Sequence, residues 1–253
     1  MILTIDVGNS RVKLAQWLAS AIIARKISNI SDDDFTSSLD ELFAGIEKPA
    51  KIFVVCVADE TKRQLLIDWC ARNWQMKAEF LKVAKQFKSI RHAYAEPEQH
   101  GADRWAAVVA GVEQLPASSL CVIGAGTAIT FDLVDADARH LGGYILPSYV
   151  TMHKALLGDT AKVRSVADVQ FIDQKKIPVN TNDALNEGLH LMLRAGVRDL
   201  CDRARRSLGD SMRIVITGGF APTVLSYSEL PEMIHSPDLV MHGLYTIMMN
   251  ADT

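Results

Sequence analysis

The sequence predicts an α/β fold in which one unit is built twice, each copy a mixed sheet flanked by helices. Three observations predict it. Ile2-Leu3-Thr4-Ile5 is a short apolar, β-branched run that enters the turn Asp6-Val7-Gly8-Asn9-Ser10-Arg11-Val12-Lys13, as a buried strand closing on small polar residues does. Val122-Ile123-Gly124-Ala125-Gly126-Thr127-Ala128-Ile129-Thr130-Phe131-Asp132 has the same character about half a chain later, and spaced self-similarity of this kind marks a duplicated unit. Continuous apolar runs at 51–57 and 213–217 read as central strands covered on both faces, with helical patterns between them. The expected division is 1–116 and 117–253.

Taken in order, 12–17 alternates apolar and polar residues and pairs back on the first strand; 22–27 is the next strand. Ser31-Asp32-Asp33-Asp34 reads as a helix start, acids in its first turn and Phe35, Leu39, Leu42 and Phe43 on its apolar stripe. A helix over 60–73 follows the central strand, turning Leu65, Leu66, Trp69 and Cys70 inward, and 79–83 is a further strand. His100-Gly101-Ala102-Asp103-Arg104 leads into an apolar helix over 105–112. After the second glycine turn come a strand over 141–147 and a helix over 151–157, then an irregular segment at 161–176. A long helix over 182–207 has Thr181 as its amino cap and Leu185, Leu189, Met192, Leu193 and Val197 along one side, a stripe suited to a core or a subunit interface. The last buried strand ends in Gly218-Gly219, where a flat ring can lie on bare backbone. A closing helix spans 237–250.

With 253 residues, 49% of them hydrophobic, the chain can bury sizeable cores. A net charge of −3 without any long basic run lacks the footprint of a nucleic-acid binder. No apolar run reaches the roughly 18 residues of a membrane span, and no secretory leader is visible, so a soluble cytoplasmic protein is expected. Cys56, Cys70, Cys121 and Cys201 are widely spaced, without a metal or redox pair. The seven histidines, His92, His100 and His140 among them, show no ligand spacing and read as solvated or structural.

The chemistry-bearing stretches are the two turns and the segment from 91 to 111. A strand ending on Asp6 and turning through Gly8-Asn9-Ser10 brings a carboxylate, free backbone N–H groups, a hydroxyl and the Lys13 ammonium to one place, a setting for a polyphosphate with Mg²⁺ at Asp6. Asp103 and Arg104 at a helix start read either as a capping pair or as a base for an attacking hydroxyl beside a cation for an anionic acceptor. Paired glycine turns with a ligand between the halves are the pattern of the ribonuclease H-like, actin-like ATPase superfamily.

Together these motifs resemble the type III pantothenate kinase family: residues 6–13, Tyr94 with Gly101-Ala102-Asp103-Arg104, Gly126-Thr127-Ala128, Leu141-Gly142-Gly143-Tyr144-Ile145-Leu146-Pro147, Asn180-Thr181 and Thr217-Gly218-Gly219. The resemblance implies ATP-dependent phosphorylation of pantothenate, opening coenzyme A synthesis. It implies that Asp6, Val7, Gly8, Asn9, Ser10, Arg11, Val12, Lys13 and Thr127 hold ATP. Tyr94, Gly101, Ala102, Asp103, Arg104 and Thr181 would line the pantothenate pocket, with Asp103 as proton acceptor. It further implies Mg²⁺, an activating K⁺ or NH₄⁺, and a homodimer. Gly124 stands where many members carry an acid that helps hold the monovalent ion, so carbonyls or Asp132 would have to replace it. His100 stands where an apolar residue is usual. Two rival readings share the ATP turns: a kinase of another acceptor such as a sugar, and an ATP-binding accessory transcription regulator without turnover.

Overall fold

The computed structural model describes residues 1–30, 35–158, 177–227 and 230–250. The acidic helix start at 31–34 and the segment at 161–176 lie outside the described residues. In chain order the elements are β1 (Ile2–Val7), β2 (Arg11–Leu18), β3 (Ala21–Asn29), α1 (Phe35–Phe43), β4 (Lys51–Cys56), α2 (Glu60–Trp74), β5 (Glu79–Phe80), β6 (Gln86–Phe87) and β7 (Ile90–Arg91). A 3₁₀ turn, Pro97–Gln99, precedes α3 (Ala102–Gln114), β8 (Leu120–Ala125), β9 (Ala128–Val134), β10 (His140–Pro147) and α4 (Tyr149–Gly158). The chain closes with α5 (Thr181–Leu208), β11 (Arg213–Thr217), α6 (Ala221–Leu225), β12 (Ile234–His235) and α7 (Leu239–Met249).

Two compact units result. One comprises Met1–Ala117, Ala136–Leu141 and Asp238–Thr253; the other comprises Ser118–Asp135 and Gly142–Pro237. Each contains the same five-strand topology: β3-β2-β1-β4-β5 in the first and β10-β9-β8-β11-β12 in the second. In both, the strand that enters the glycine turn runs antiparallel to the strand that leaves it and parallel to its other neighbour.

In the first unit, alternation along β1 sorts its residues between two layers. Leu3, Ile5 and Val7 join a core with Phe35, Leu39 and Leu42 of α1 and Leu66, Trp69 and Trp74 of α2, each buried chain worth roughly 1.5–3 kcal/mol. Thr4 and Asp6 face the other way. There Thr4 Oγ1 lies 3.3 Å from Met241 Sδ of α7 and accepts the Trp17 indole N–H at 2.8 Å. Helix α3 crosses α7 so closely that a Cβ on Gly243 would sit 1.8 Å from the Ala106 carbonyl oxygen. Packing of α7 on β1 therefore carries α3 to the face of the sheet that bears Asp6.

In the second unit, Cys121, Ile123, Ala125, Ile129 and Phe131 pack on Leu189, Leu193, Val197 and Cys201 of α5. Val122, Gly124, Thr130 and Asp132, paired across β8 and β9, share the opposite face.

Several expected details shift. The 79–83 strand is only Glu79–Phe80, paired to β4. Helix α3 begins at Ala102, which puts Asp103 and Arg104 inside its first turn. Asn180, not Thr181, caps α5: its Oδ1 accepts the Asp183 N–H at 2.9 Å, and Thr181 is the first helical residue. Met192 is 64% exposed beside an equally outward Leu191, while Leu189, Leu193 and Val197 form the buried stripe. Cys56 is half-buried rather than enclosed.

Candidate active site

The β1–β2 hairpin builds the first half of the site. Its register sets Asp6 opposite Lys13, with Lys13 Nζ 3.8 Å from Asp6 Oδ2. Burial lifts the Asp6 carboxyl from 3.8 to about 6; Lys13 opposes the shift and the charge of Asp103 adds to it. A carboxylate held in this way binds a cation or a proton readily, because either one relieves the burial and repulsion. The adjacent turn is tighter than expected. Gly8 N–H donates to Arg11 O at 3.0 Å, and so is spent within the loop, not left for an anion. Val7 and Val12 are fully buried, so any ligand contact from them is through backbone atoms. Asn9, Ser10 and Arg11 are exposed.

The start of α3 supplies the second carboxylate. Gly101 occupies the amino-cap position without a side-chain cap, and Asp103, two residues on, offers its carboxylate to the backbone of the first turn. One of its oxygens, Oδ1, accepts the Arg104 N–H at 2.8 Å. A Cβ at position 101 would stand 2.7 Å from that oxygen, which is why glycine suits the residue before the helix. Burial raises the Asp103 pKa above the ordinary carboxylate range, while the Arg104 N–H bond, the Arg104 charge and His100 pull it back. The outcome is a carboxylate of raised proton affinity beside a buried arginine. Tyr94, half-buried, stands with its ring centroid 5.1 Å from that of His100, at the near end of the same segment.

Among the expected site residues, the first unit thus contains 6–13, Tyr94 and 101–104, and it draws Asp6 and Asp103 into electrostatic contact. Thr127 and Thr181 belong to the second unit. There Thr127 O accepts the Thr151 hydroxyl at 2.6 Å, and Gly126 N–H closes its turn on Ala128 O at 2.9 Å. Thr181 is exposed at the start of α5. Gly218 takes φ +102°, and a Cβ there would meet Ala125 O at 2.2 Å. That glycine is demanded by close packing against the end of β8. At Gly124 a Cβ would stand 2.6 Å from Thr130 Oγ1, so the hydroxyl of Thr130 fills the space an acidic side chain would need.

Three of the seven histidines, without ligand spacing in the sequence, meet in space. His92, His100 and His140 offer nitrogens that all lie within 4.8 Å of one another. The spacing in sequence hid this, because chain pairing between 91 and 139 creates the neighbourhood. A histidine at each end of the Tyr94–Pro97 segment was the available signal.

Among the described residues no helix is long and apolar enough to cross a membrane. The family model for type III pantothenate kinase matches residues 2–203. Relatives bearing that name include one from Pseudomonas fluorescens, 32% identical over 96% of this chain and 97% of its own length. Another, from Nitrosococcus oceani, is 29% identical over 96% and 92%. Similar solved structures include a Baf family protein described as a transcriptional activator, from Campylobacter jejuni (TM-score 0.60, 22% identity, 99% and 98% coverage). MreB 5 of Spiroplasma citri bound to AMPPNP also matches (TM-score 0.51, 11% identity, 99% and 98% coverage). These structural likenesses establish the actin-like ATPase and sugar-kinase fold, and the sequence match establishes more: the chain belongs to the type III pantothenate kinase family.

Proposed function

We propose that this protein transfers the terminal phosphoryl group of ATP to the primary hydroxyl of pantothenate, forming 4′-phosphopantothenate and ADP, the first step of coenzyme A biosynthesis. The observation that carries the mechanistic reading is the pair of carboxylates in the first unit, Asp6 facing Lys13 and Asp103 opening α3. Asp103 takes the hydroxyl proton as the P–O bond forms, and Arg104 pairs with the pantothenate carboxylate. Tyr94, Gly101 and Ala102 shape the acceptor pocket, and residues 6–13 hold the phosphates through backbone and Lys13. Asp6 fits a divalent ion, since its raised pKa reflects a buried negative charge in need of a counter-charge. Mg²⁺ bound there with ATP supplies neutralisation of phosphate charge, the main demand of phosphoryl transfer.

For a monovalent ion we place the oxygens on the face shared by Thr130 and Asp132, since Gly124 offers no carboxylate. Four free cysteines suit a reducing cytoplasm. A homodimer is supported by the apolar exposure of Leu141, Tyr144 and Ile145 on β10, an edge strand of its sheet, together with Leu191 and Met192 on α5.

ADP release by purified protein with ATP, Mg²⁺ and pantothenate tests the reading, run with and without K⁺ and against a panel of sugars. Turnover that depends on pantothenate and exceeds that with every sugar is expected. Faster turnover of a sugar, or none with pantothenate, would sink it.

A further inference from the structure

We propose that His92, His100 and His140 form a binding site for one divalent transition-metal ion of the zinc class, separate in its ligands from Asp6. The three rings come from different parts of the first unit and are fixed by backbone. Arg91 N–H donates to Ala138 O at 3.1 Å, and the 91–139 bridge sets His92 beside His140. His100 ends the 3₁₀ turn, its N–H on Pro97 O at 3.0 Å. The ring centroids lie 4.8, 5.0 and 4.9 Å apart, and His100 and His140 are 1% and 3% exposed. The Trp105 ring, 4.8 Å from His92, walls the cluster.

Three imidazoles without a carboxylate select zinc, cobalt, nickel or copper over magnesium and calcium, and three protein ligands leave a coordination position for water or a further group. Without an ion, Tyr94 N–H donates to His92 Nδ1 at 3.0 Å, and His92 Nε2 lies 2.8 Å from His100 Nδ1. The His92 proton therefore sits on Nε2, shared with His100. An ion that takes Nε2 shifts the His92 proton to Nδ1, the other nitrogen of the neutral ring, which then can no longer accept the Tyr94 N–H. Occupancy of the cluster is thereby coupled to Tyr94, a coupling that rests on placing Tyr94 in the pantothenate pocket.

The test uses untagged, chelator-treated protein dialysed against Zn²⁺ alone, and separately titrated with Co²⁺. One bound zinc per chain and a visible Co²⁺ absorption saturating at one equivalent are expected. His92→Gln and His140→Ala, checked for folding by circular dichroism, should each weaken binding at least tenfold. The site is overturned if the wild-type protein binds neither ion stoichiometrically, or if both folded variants bind zinc as the wild type does. Zinc should also raise the KM for pantothenate by threefold or more. Stoichiometric zinc with an unchanged KM upholds the metal site and overturns its coupling to pantothenate binding, so the two claims fail separately.

Discussion

The two glycine turns occupy the same position in the same topology, yet one is charged and the other is not. In the β1–β2 hairpin the penultimate pair is Asp6 and Lys13; in the β8–β9 hairpin it is Gly124 and Thr130. The first pair keeps a strained charge: Asp6 is buried, repelled by Asp103 and only partly offset by Lys13. The second pair is neutral and close-packed, the Thr130 hydroxyl filling the room above Gly124. The two units thus share a scaffold and differ in charge. On the function proposed, one turn concentrates charge for a metal and phosphates, and the other presents backbone and hydroxyl groups without an electrostatic cost.

If the division is real, Asp6→Asn should lower kcat/KM for MgATP on the order of a hundredfold or more, the loss expected for a metal-holding carboxylate. Steady-state kinetics at varied Mg²⁺ measures this, and a change below threefold would erase the contrast between the turns. The same group should act oppositely on stability. Its folded pKa of about 6 exceeds the unfolded 3.8, so the native state holds the proton more tightly between those values. Unfolding free energy of the metal-free protein should then fall as pH rises from about 4 to 6, by roughly 3 kcal/mol, and stay low above that. Denaturant melts of wild type and Asp6→Asn across this window should show the steeper slope in the first and a reduced one in the second, where the raised Asp103 carboxyl still contributes.

Two smaller effects probe the neutral turn. Gly124→Asp, which would introduce a carboxylate into the second turn, should destabilise by about 1–3 kcal/mol, because the new side chain collides with Thr130 and brings an unpaired charge. A stability equal to wild type would mean that Thr130 yields without cost. Thr127→Ala should raise the KM for ATP only about three- to tenfold, the scale of one neutral hydrogen bond. A loss as large as that of Asp6→Asn would make the turns equivalent.

The duplicated scaffold was legible because both turns follow apolar strands and carry glycine where the chain reverses. Asp103 and Arg104 were legible as a pair, but their choice between capping and chemistry was not. In the fold Gly101 takes the cap position, Asp103 Oδ1 still accepts the Arg104 N–H, and α7 draws α3 over the face of β1 that bears Asp6. Neighbouring candidates misled for local reasons. Asn180 and Thr181 both make good caps, and only the bond to Asp183 separates them. Met192 precedes Leu193, and one position rotates a helical side chain by about 100°, enough to move it from core to surface. The histidine cluster was illegible because eight and forty residues separate its members, and only the pairing of 91 with 139 closes the larger gap.

The most direct measurement is turnover and nucleotide binding by Asp103→Asn. The amide keeps the shape of the side chain and can still accept the Arg104 N–H, but it cannot take a proton. Turnover with pantothenate should drop roughly a hundredfold to ten-thousandfold, while the affinity for ATP, followed by calorimetry, stays within about threefold. A variant that phosphorylates pantothenate at near wild-type rate would contradict the assignment of the proton acceptor.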